Sequence, residues 1–333
     1  MARVGIIGGG AFGTAMACVV RRSGHETVLW AREPEVAASI NGHASNPLFL
    51  GGVPLVPGIV ATNDLATAVD GADFLLLAPP AQHMRAVTMQ LRSVIEPGLP
   101  VVSCSKGIER GSCALMPEVL AETLPRAKIA VLSGPSFARE IALDLPCGVT
   151  LACADAAAGE SLARAIGTPR FRAYLSDDVT GAAIGGVMKN VLAIAAGIVQ
   201  GKKLGENARA TIITRGLAET IRLGVAKGAR TETFMGLSGV GDLVLTCNSM
   251  QSRNTSLGVA LGEGRKPGEV LAGRKEVTEG ALSVEAVAAL AKRLRLEMPI
   301  VEAVDQVLNH GADLDATIAR LLAHPYHFDR PEG

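Results

Sequence analysis

The stretch RVGIIGGGAFGTAMACVVRRSGH, residues 3–25, decides how the rest of the chain is read. Its opening, Arg3 to Ile7, is a short apolar run with β-branched side chains, the composition of a strand. A glycine-rich turn follows at once. Beyond it, apolar residues recur at helical spacing up to Gly24, which reads as a C-terminal stop. Gly8, Gly10 and Gly13 form G-x-G-x-x-G. Alone that pattern is weak, but between a strand and a helix at the start of a strand–helix–strand unit it points to a dinucleotide cradle. Gly8 permits the tight turn, Gly10 lets backbone approach a pyrophosphate, and Gly13 lets helix and strand pack closely. The helix start then offers unpaired N–H groups and the positive end of its dipole to the phosphates.

The alternation continues outward from this unit. ETVLWAR (26–32), ADFLLLAPP (72–80), PVVSCSKG (100–107) and KIAVLSGPSF (128–137) read as strands, with helix-like stretches at 81–95 and 114–124. GVTLACA (148–154) and FRAYLS (171–176) add two further strand candidates. Several of these strands are apolar throughout, which predicts a parallel sheet covered on both faces. From about residue 180, segments rich in Ala, Leu, Val and Glu take over, broken by turns such as GLSGVGD (236–242) and EGRKPGE (263–269). The expected fold is therefore α/β, with an N-terminal Rossmann-type doubly wound sheet over residues 1–180 and an all-α domain over 181–333. The last residues, HPYHFDRPEG, read as a loosely held tail.

Composition narrows the function classes. Of 333 residues, 48% are hydrophobic, enough for a sizeable core. Lys plus Arg equals Asp plus Glu at 32 each, which argues against broad electrostatic capture of nucleic acid. Aromatics at 3% leave little for base-stacking platforms. The six cysteines include no C-x-x-C pair and read as free thiols of a reducing compartment. The N-terminus enters the strand pattern without the apolar core of a signal peptide. Apolar runs such as VLAIAAGIV (191–199) fall short of the roughly 20 residues needed to span a bilayer. A soluble cytoplasmic protein is expected, with no membrane span and no nucleic-acid partner. The six histidines are scattered, so no metal is expected.

Several polar residues stand where chemistry would use them. Arg32 comes just after the second strand and could pair with the 2′-phosphate of NADP, which favours NADPH with NADH tolerated. Lys106 ends a strand at the sheet edge where ligands bind in such folds, and Ser136, in SGPSFA, ends the next. Lys189 and Asn190 interrupt the apolar run AAIGGVMKNVLAIAAGIVQG (182–201). Either the Lys189 ammonium snorkels out along its own stem, or a cavity needs it, since a dry lysine exchanges protons nearer neutrality. Farther on, Asp242 in a glycine-rich turn could orient a lysine by ion pairing. Thr246 is nearby, Arg253 offers a planar fork for a phosphate, and Asn254 adds donors.

Taken together, GGGAFGTAMA, SCSKGIE, SGPSFARE, VMKNVLAIAAGIVQG, NARATIITRGLAE, TFMGLSGVGDLVLTC and SRN occur in the order found in bacterial NAD(P)-dependent sn-glycerol-3-phosphate dehydrogenases, and the chain closely resembles that family from its first strand to about residue 285. The resemblance implies interconversion of dihydroxyacetone phosphate and glycerol 3-phosphate with NADPH/NADP or NADH/NAD, in support of phospholipid synthesis. It implies that Lys189 donates and accepts the proton, with Lys106 and Asp242 fixing its position and charge. It assigns Lys106, Gly134, Ser136, Lys189, Asn190, Asp242, Thr246, Ser252, Arg253 and Asn254 to the phosphorylated substrate. Ala11, Phe12, Arg32, Ala138, Val277 and Glu279 fall on cofactor positions, together with Lys106 and Arg253. Where the family often has Ser-Tyr or Ser-Trp, this chain has Ala11-Phe12, which keeps the ring and removes a side-chain hydrogen bond. Two other readings share the nucleotide half: a two-domain ketoacid or 3-hydroxyacid reductase, whose substrate carries a carboxylate in place of the phosphate, and a non-catalytic NAD(P)H sensor. The apolar helical half is compatible with a homodimer face or with a buried core.

Overall fold

In the computed structural model, residues 1–274 and 277–323 are described; the expected tail at HPYHFDRPEG lies outside them. Among the described residues, eight strands form one sheet: β1 (Arg3–Ile7), β2 (Glu26–Trp30), β3 (Ile59–Thr62), β4 (Phe74–Leu77), β5 (Pro100–Ser103), β6 (Lys128–Ser133), β7 (Cys147–Cys153) and β8 (Phe171–Ser176). Their order is β3-β2-β1-β4-β5-β6-β7-β8. The first six follow the doubly wound dinucleotide-binding order, with the switch point beside β1. Central strands are buried on both faces, as in β4 with the run FLLL, so they show no polar alternation.

Two features of the sheet differ from the sequence reading. β3 lies between ETVLWAR and ADFLLLAPP, where the sequence reading placed no strand. It is a four-residue edge strand whose residues alternate between buried and accessible, too short and too mixed to stand out. The sheet is also not wholly parallel, because β6 pairs antiparallel with β7, Val131 opposite Ala152. The connection over 134–146 contains only the five-residue helix Ala138–Ala142. A parallel crossover needs a helix long enough to carry the chain back along the strand, and this link has none.

The chain divides into two compact units, Met1–Ser105 with Met116–Val179, and Lys106–Leu115 with the chain from Thr180 onward. In the first, the core draws on β1 and β2 (Val4, Ile6, Leu29), on the helix Ala11–Arg22 (Met16, Val19, Val20) and on Leu162 and Ile166. The second is helical and is organised by the 23-residue helix Val179–Gly201. That helix continues through Lys189 and Asn190, so it is longer than the apolar run VLAIAAGIV within it. By length and composition it could cross a bilayer, yet 89% of its most apolar window is buried inside the protein.

Small residues let neighbouring backbone approach this helix at two levels. A Cβ on Gly185 would lie 2.0 Å from the Ser238 carbonyl oxygen, and one on Gly197 would lie 2.2 Å from that of Thr255. From the other side, a Cβ on Gly258 would come 2.1 Å from the Ile194 carbonyl. The first contact brings up the turn Leu237–Gly241, which leads directly into the helix Asp242–Cys247. The second brings up the helix Arg253–Gly262. Lys189 and Asn190 lie between these two levels, so Asp242 and Asn254 are delivered to them by glycine contacts.

Candidate active site

The nucleotide cradle is built locally. Gly8 has φ +128°, and a Cβ there would sit 2.8 Å from Ala78 backbone atoms. A Cβ on Gly13 would come 1.9 Å from the Gly8 carbonyl, so the helix packs on the turn at backbone distance. Gly10 differs, since a Cβ there would meet nothing within 4 Å. It is the N-cap of the helix Ala11–Arg22 and makes no side-chain capping bond, so the first-turn N–H groups are offered outward. Tight at Gly8 and Gly13 and open at Gly10, the cradle fits a dinucleotide pyrophosphate. Ala11 and Phe12 open that helix, and Phe12 packs against the core. Arg32 is 74% exposed and donates from Nε (3.0 Å) and Nη2 (2.6 Å) to Glu33 Oε1, so its fork is shared with a carboxylate. Gly134, with φ +125°, accepts the Ser136 hydroxyl on its carbonyl at 2.7 Å, and Ala138 opens the next short helix.

In the second unit the Asp242 carboxylate, 1% exposed, holds two ammonium groups. Lys106 Nζ lies 2.7 Å from Oδ2 and Lys189 Nζ lies 3.3 Å from Oδ1. Lys189 also donates to Thr246 Oγ1 (3.1 Å), and that hydroxyl donates to Asp242 Oδ1 (3.2 Å). Burial lowers the Lys189 pKa from its ordinary 10.5 to about 8; Asp242 opposes this, and the Lys106 charge adds to it. Burial alone would raise the Asp242 carboxyl, but Lys106 and Lys189 together hold it below its usual value. The result is an ionised acid beside an amine that can hold or release a proton near neutrality. Cys247, on the same short helix as Asp242, has its thiol pushed up to about 12 by burial and stays neutral.

Two family models cover almost all of this chain. The NAD-dependent glycerol-3-phosphate dehydrogenase N-terminus matches residues 3–159 and the corresponding C-terminus matches residues 178–319. The chain belongs to the NAD-dependent glycerol-3-phosphate dehydrogenase family. It is 54% identical over 324 residues to "Glycerol-3-phosphate dehydrogenase [NAD(P)+]" of Parvibaculum lavamentivorans, covering 97% of each chain. It is 55% identical over 322 residues to the protein of the same name from Rhodospirillum rubrum, covering 97% of this chain and 92% of that one. Among solved structures, glycerol-3-phosphate dehydrogenase from Coxiella burnetii superposes with a TM-score of 0.92 at 37% identity, over 96% of this chain and 98% of that one.

For a chain of this glycerol-3-phosphate dehydrogenase family, the second unit gathers Lys106, Lys189, Asn190, Asp242, Thr246 and Asn254 into one hydrogen-bonded group. Asn190, 4% exposed, donates from Nδ2 to the carbonyls of Lys106 (2.8 Å) and Gly186 (3.3 Å). Its Oδ1 accepts from Asn254 Nδ2 (2.8 Å), and Asn254 Oδ1 accepts from the Gly280 N–H (2.9 Å). The two carboxamides thus tie the Lys106 backbone to the start of the helix Glu279–Leu294. Ser252 caps the helix Arg253–Gly262 by accepting from the Thr255 N–H at 3.2 Å, and Arg253 is that helix's first residue. Val277 and Glu279 flank Thr278, the N-cap of Glu279–Leu294. Sequence reasoning passed over Thr255, whose hydroxyl bonds the Thr246 carbonyl at 2.6 Å, and Gly280, where a Cβ would meet the Asn190 carbonyl at 2.5 Å. It also passed over Arg274. The Ser-x-x-Thr spacing at 252–255 is a capping signal that could have marked Thr255. Nothing local marks the other two.

Proposed function

We propose that the chain catalyses NAD(P)H-dependent interconversion of dihydroxyacetone phosphate and sn-glycerol 3-phosphate. One observation carries the chemistry: a buried lysine with a pKa of about 8, held by a carboxylate that a second lysine also grips. In reduction, the Gly8–Gly13 cradle would hold NAD(P)H, which would supply a hydride for the ketone carbon. As that bond forms, the carbonyl π pair moves onto oxygen, and the Lys189 ammonium stabilises the growing charge and gives it a proton. Lys189 is left as the neutral amine and regains a proton from solvent. In oxidation the same amine takes the hydroxyl proton. Asp242 and Thr246 hold Nζ in place. Lys106 lends positive charge to the substrate pocket, and Asn190 and Asn254 keep the Lys106 backbone where it is needed. Arg253 and Asn254 grip the phosphate, so that binding energy remote from the chemistry aligns the reacting carbon.

In this reading nucleotide binding belongs to 1–180 and substrate chemistry to 181–333, with Lys106–Leu115, which falls in the second compact unit, serving the latter. We place the enzyme in the cytoplasm, a reading supported by six free cysteines, five of them buried. Supply of glycerol 3-phosphate for phospholipid synthesis is the role that the family implies, and a homodimer is the assembly to test by light scattering. The deciding experiment follows nicotinamide absorbance during initial-rate oxidation of NADPH, then NADH, by dihydroxyacetone phosphate. Turnover supports the reading. Binding of both cofactors with turnover of a 2-ketoacid and none of dihydroxyacetone phosphate overturns it.

A further inference from the structure

Arg274 occupies an unusual electrostatic position. Its Nη1 donates to the Arg253 carbonyl (2.5 Å) and reaches the Thr278 hydroxyl (3.4 Å), while Nη2 donates to the Ser256 hydroxyl (3.0 Å). These acceptors are all neutral. Burial disfavours the Arg274 charge, and the Arg253 and Arg265 guanidiniums disfavour it further. Arginine nevertheless stays protonated in proteins. A cation kept beside two others, and spending its donors on backbone and hydroxyl oxygens, is placed for geometry. The segments that it joins are informative. Arg253 and Ser256 lie in the first turn of the helix that Ser252 caps. Thr278, 4% exposed, occupies the N-cap position of the helix Glu279–Leu294 without a side-chain capping bond, and stands between Val277 and Glu279.

We propose that Arg274 is a positioning residue for the phosphate grip: its planar fork locks the Arg253 turn to the Thr278 cap, so that the Arg253 side chain is presented to the substrate phosphate in one orientation. This rests on the proposed function, because it takes the phosphate of dihydroxyacetone phosphate as the anion that Arg253 meets. The fork matters as well as the charge. A lysine at this position keeps the positive field but cannot hold the Arg253 carbonyl and the Ser256 hydroxyl at once in a fixed plane.

The test compares the wild type with Arg274→Met and Arg274→Lys in steady-state reduction of dihydroxyacetone phosphate at saturating cofactor, with thermal midpoints measured alongside. Loss of a charge-assisted contact is expected to raise KM about ten-fold in both variants, with kcat falling by less than about two-fold. A purely structural role would instead lower kcat and the thermal midpoint together and leave KM in place, and that result overturns the assignment. So does restoration of KM by Arg274→Lys, which would make the effect one of charge alone. The conservative lysine variant gives the answer if the methionine variant does not fold. If the wild type turns over dihydroxyacetone phosphate and KM is unmoved in both variants, this inference fails while the function stands. If the wild type does not turn it over, the function itself fails.

Discussion

Replacing Asp242 by asparagine keeps the shape of the side chain and removes the charge that two ammonium groups share. Its Oδ1 lies 3.3 Å from Lys189 Nζ. Two unit charges about 4 Å apart interact by about 4 kcal/mol at the effective dielectric that suits protein sites. At 1.36 kcal/mol per unit, that is about three pK units. The Lys189 pKa of about 8 already includes this support. Without it, burial and the Lys106 charge act unopposed, and the pKa drops towards about 5. At pH 7 the ammonium fraction then falls from roughly nine-tenths to roughly one-hundredth. In the proposed mechanism reduction needs the ammonium, so kcat/KM for dihydroxyacetone phosphate should fall about 100-fold at pH 7 from charge state alone. The assay is the pH profile of kcat/KM in both directions. In the wild type, reduction should decline as pH rises through about 8, and oxidation should rise over the same interval. In Asp242→Asn both limbs should move down by roughly three units. If the variant folds, binds cofactor and keeps its limb near 8, Asp242 does not set the charge of Lys189 and the proton-transfer argument is wrong.

Lys189→Ala should lower turnover by about 10²–10⁴-fold with little change in cofactor binding; near-wild-type turnover would remove Lys189 from the chemistry. Glu219 accepts the N–H groups of Ile300 (2.7 Å) and Val301 (3.2 Å), and burial raises its pKa to about 7. With the folded value above the unfolded one, its contribution is fully present below the ordinary carboxyl pKa and is lost as pH rises through about 7. Denaturant unfolding of the wild type should therefore lose about 3 kcal/mol from this group between acid and mildly alkaline pH, and Glu219→Gln should flatten that slope; equal slopes would refute the assignment. Gly185→Ala should destabilise by about 1–3 kcal/mol in the same assay, because its Cβ would press on the Ser238 carbonyl; wild-type stability would mean that the helix and turn can part freely. Glu33→Gln should raise the NADPH-to-NADH ratio of binding constants several-fold by releasing the Arg32 fork for a 2′-phosphate; an unchanged ratio would show that the ion pair with Glu33 does not limit Arg32.

The nucleotide half was legible because its signal is local. Gly8, Gly10 and Gly13 lie within one turn between one strand and one helix, and the strand period, helix period and backbone demands of the turn are all written in adjacent residues. The second half yielded its helical texture and its candidate residues in the same way. β3 escaped because four edge residues with mixed burial carry too short a pattern. The antiparallel pairing of β6 and β7 escaped because strand direction depends on how the connection closes, which periodicity does not record.

The sequence by itself determined the dinucleotide cradle, the change from sheet to helices near residue 180, and the family, all from short runs in a fixed order. The sequence also pointed to Asp242 as an ion-pair partner for a lysine, but only the tertiary structure decided the distances and the burial at which these charges meet. Lys106 and Asp242 are 136 residues apart in the chain, and Lys189 and Thr246 are 57 apart. No local rule sets how closely Asp242 approaches either lysine. That is decided where backbone can approach the helix Val179–Gly201 closely enough, at Gly185 and Gly197, and where the carboxamides of Asn190 and Asn254 close the bonds between segments. The residue types of the candidate site are written in the chain, but the burial that lowers the Lys189 pKa and the carboxylate that opposes it come into being only when those segments pack.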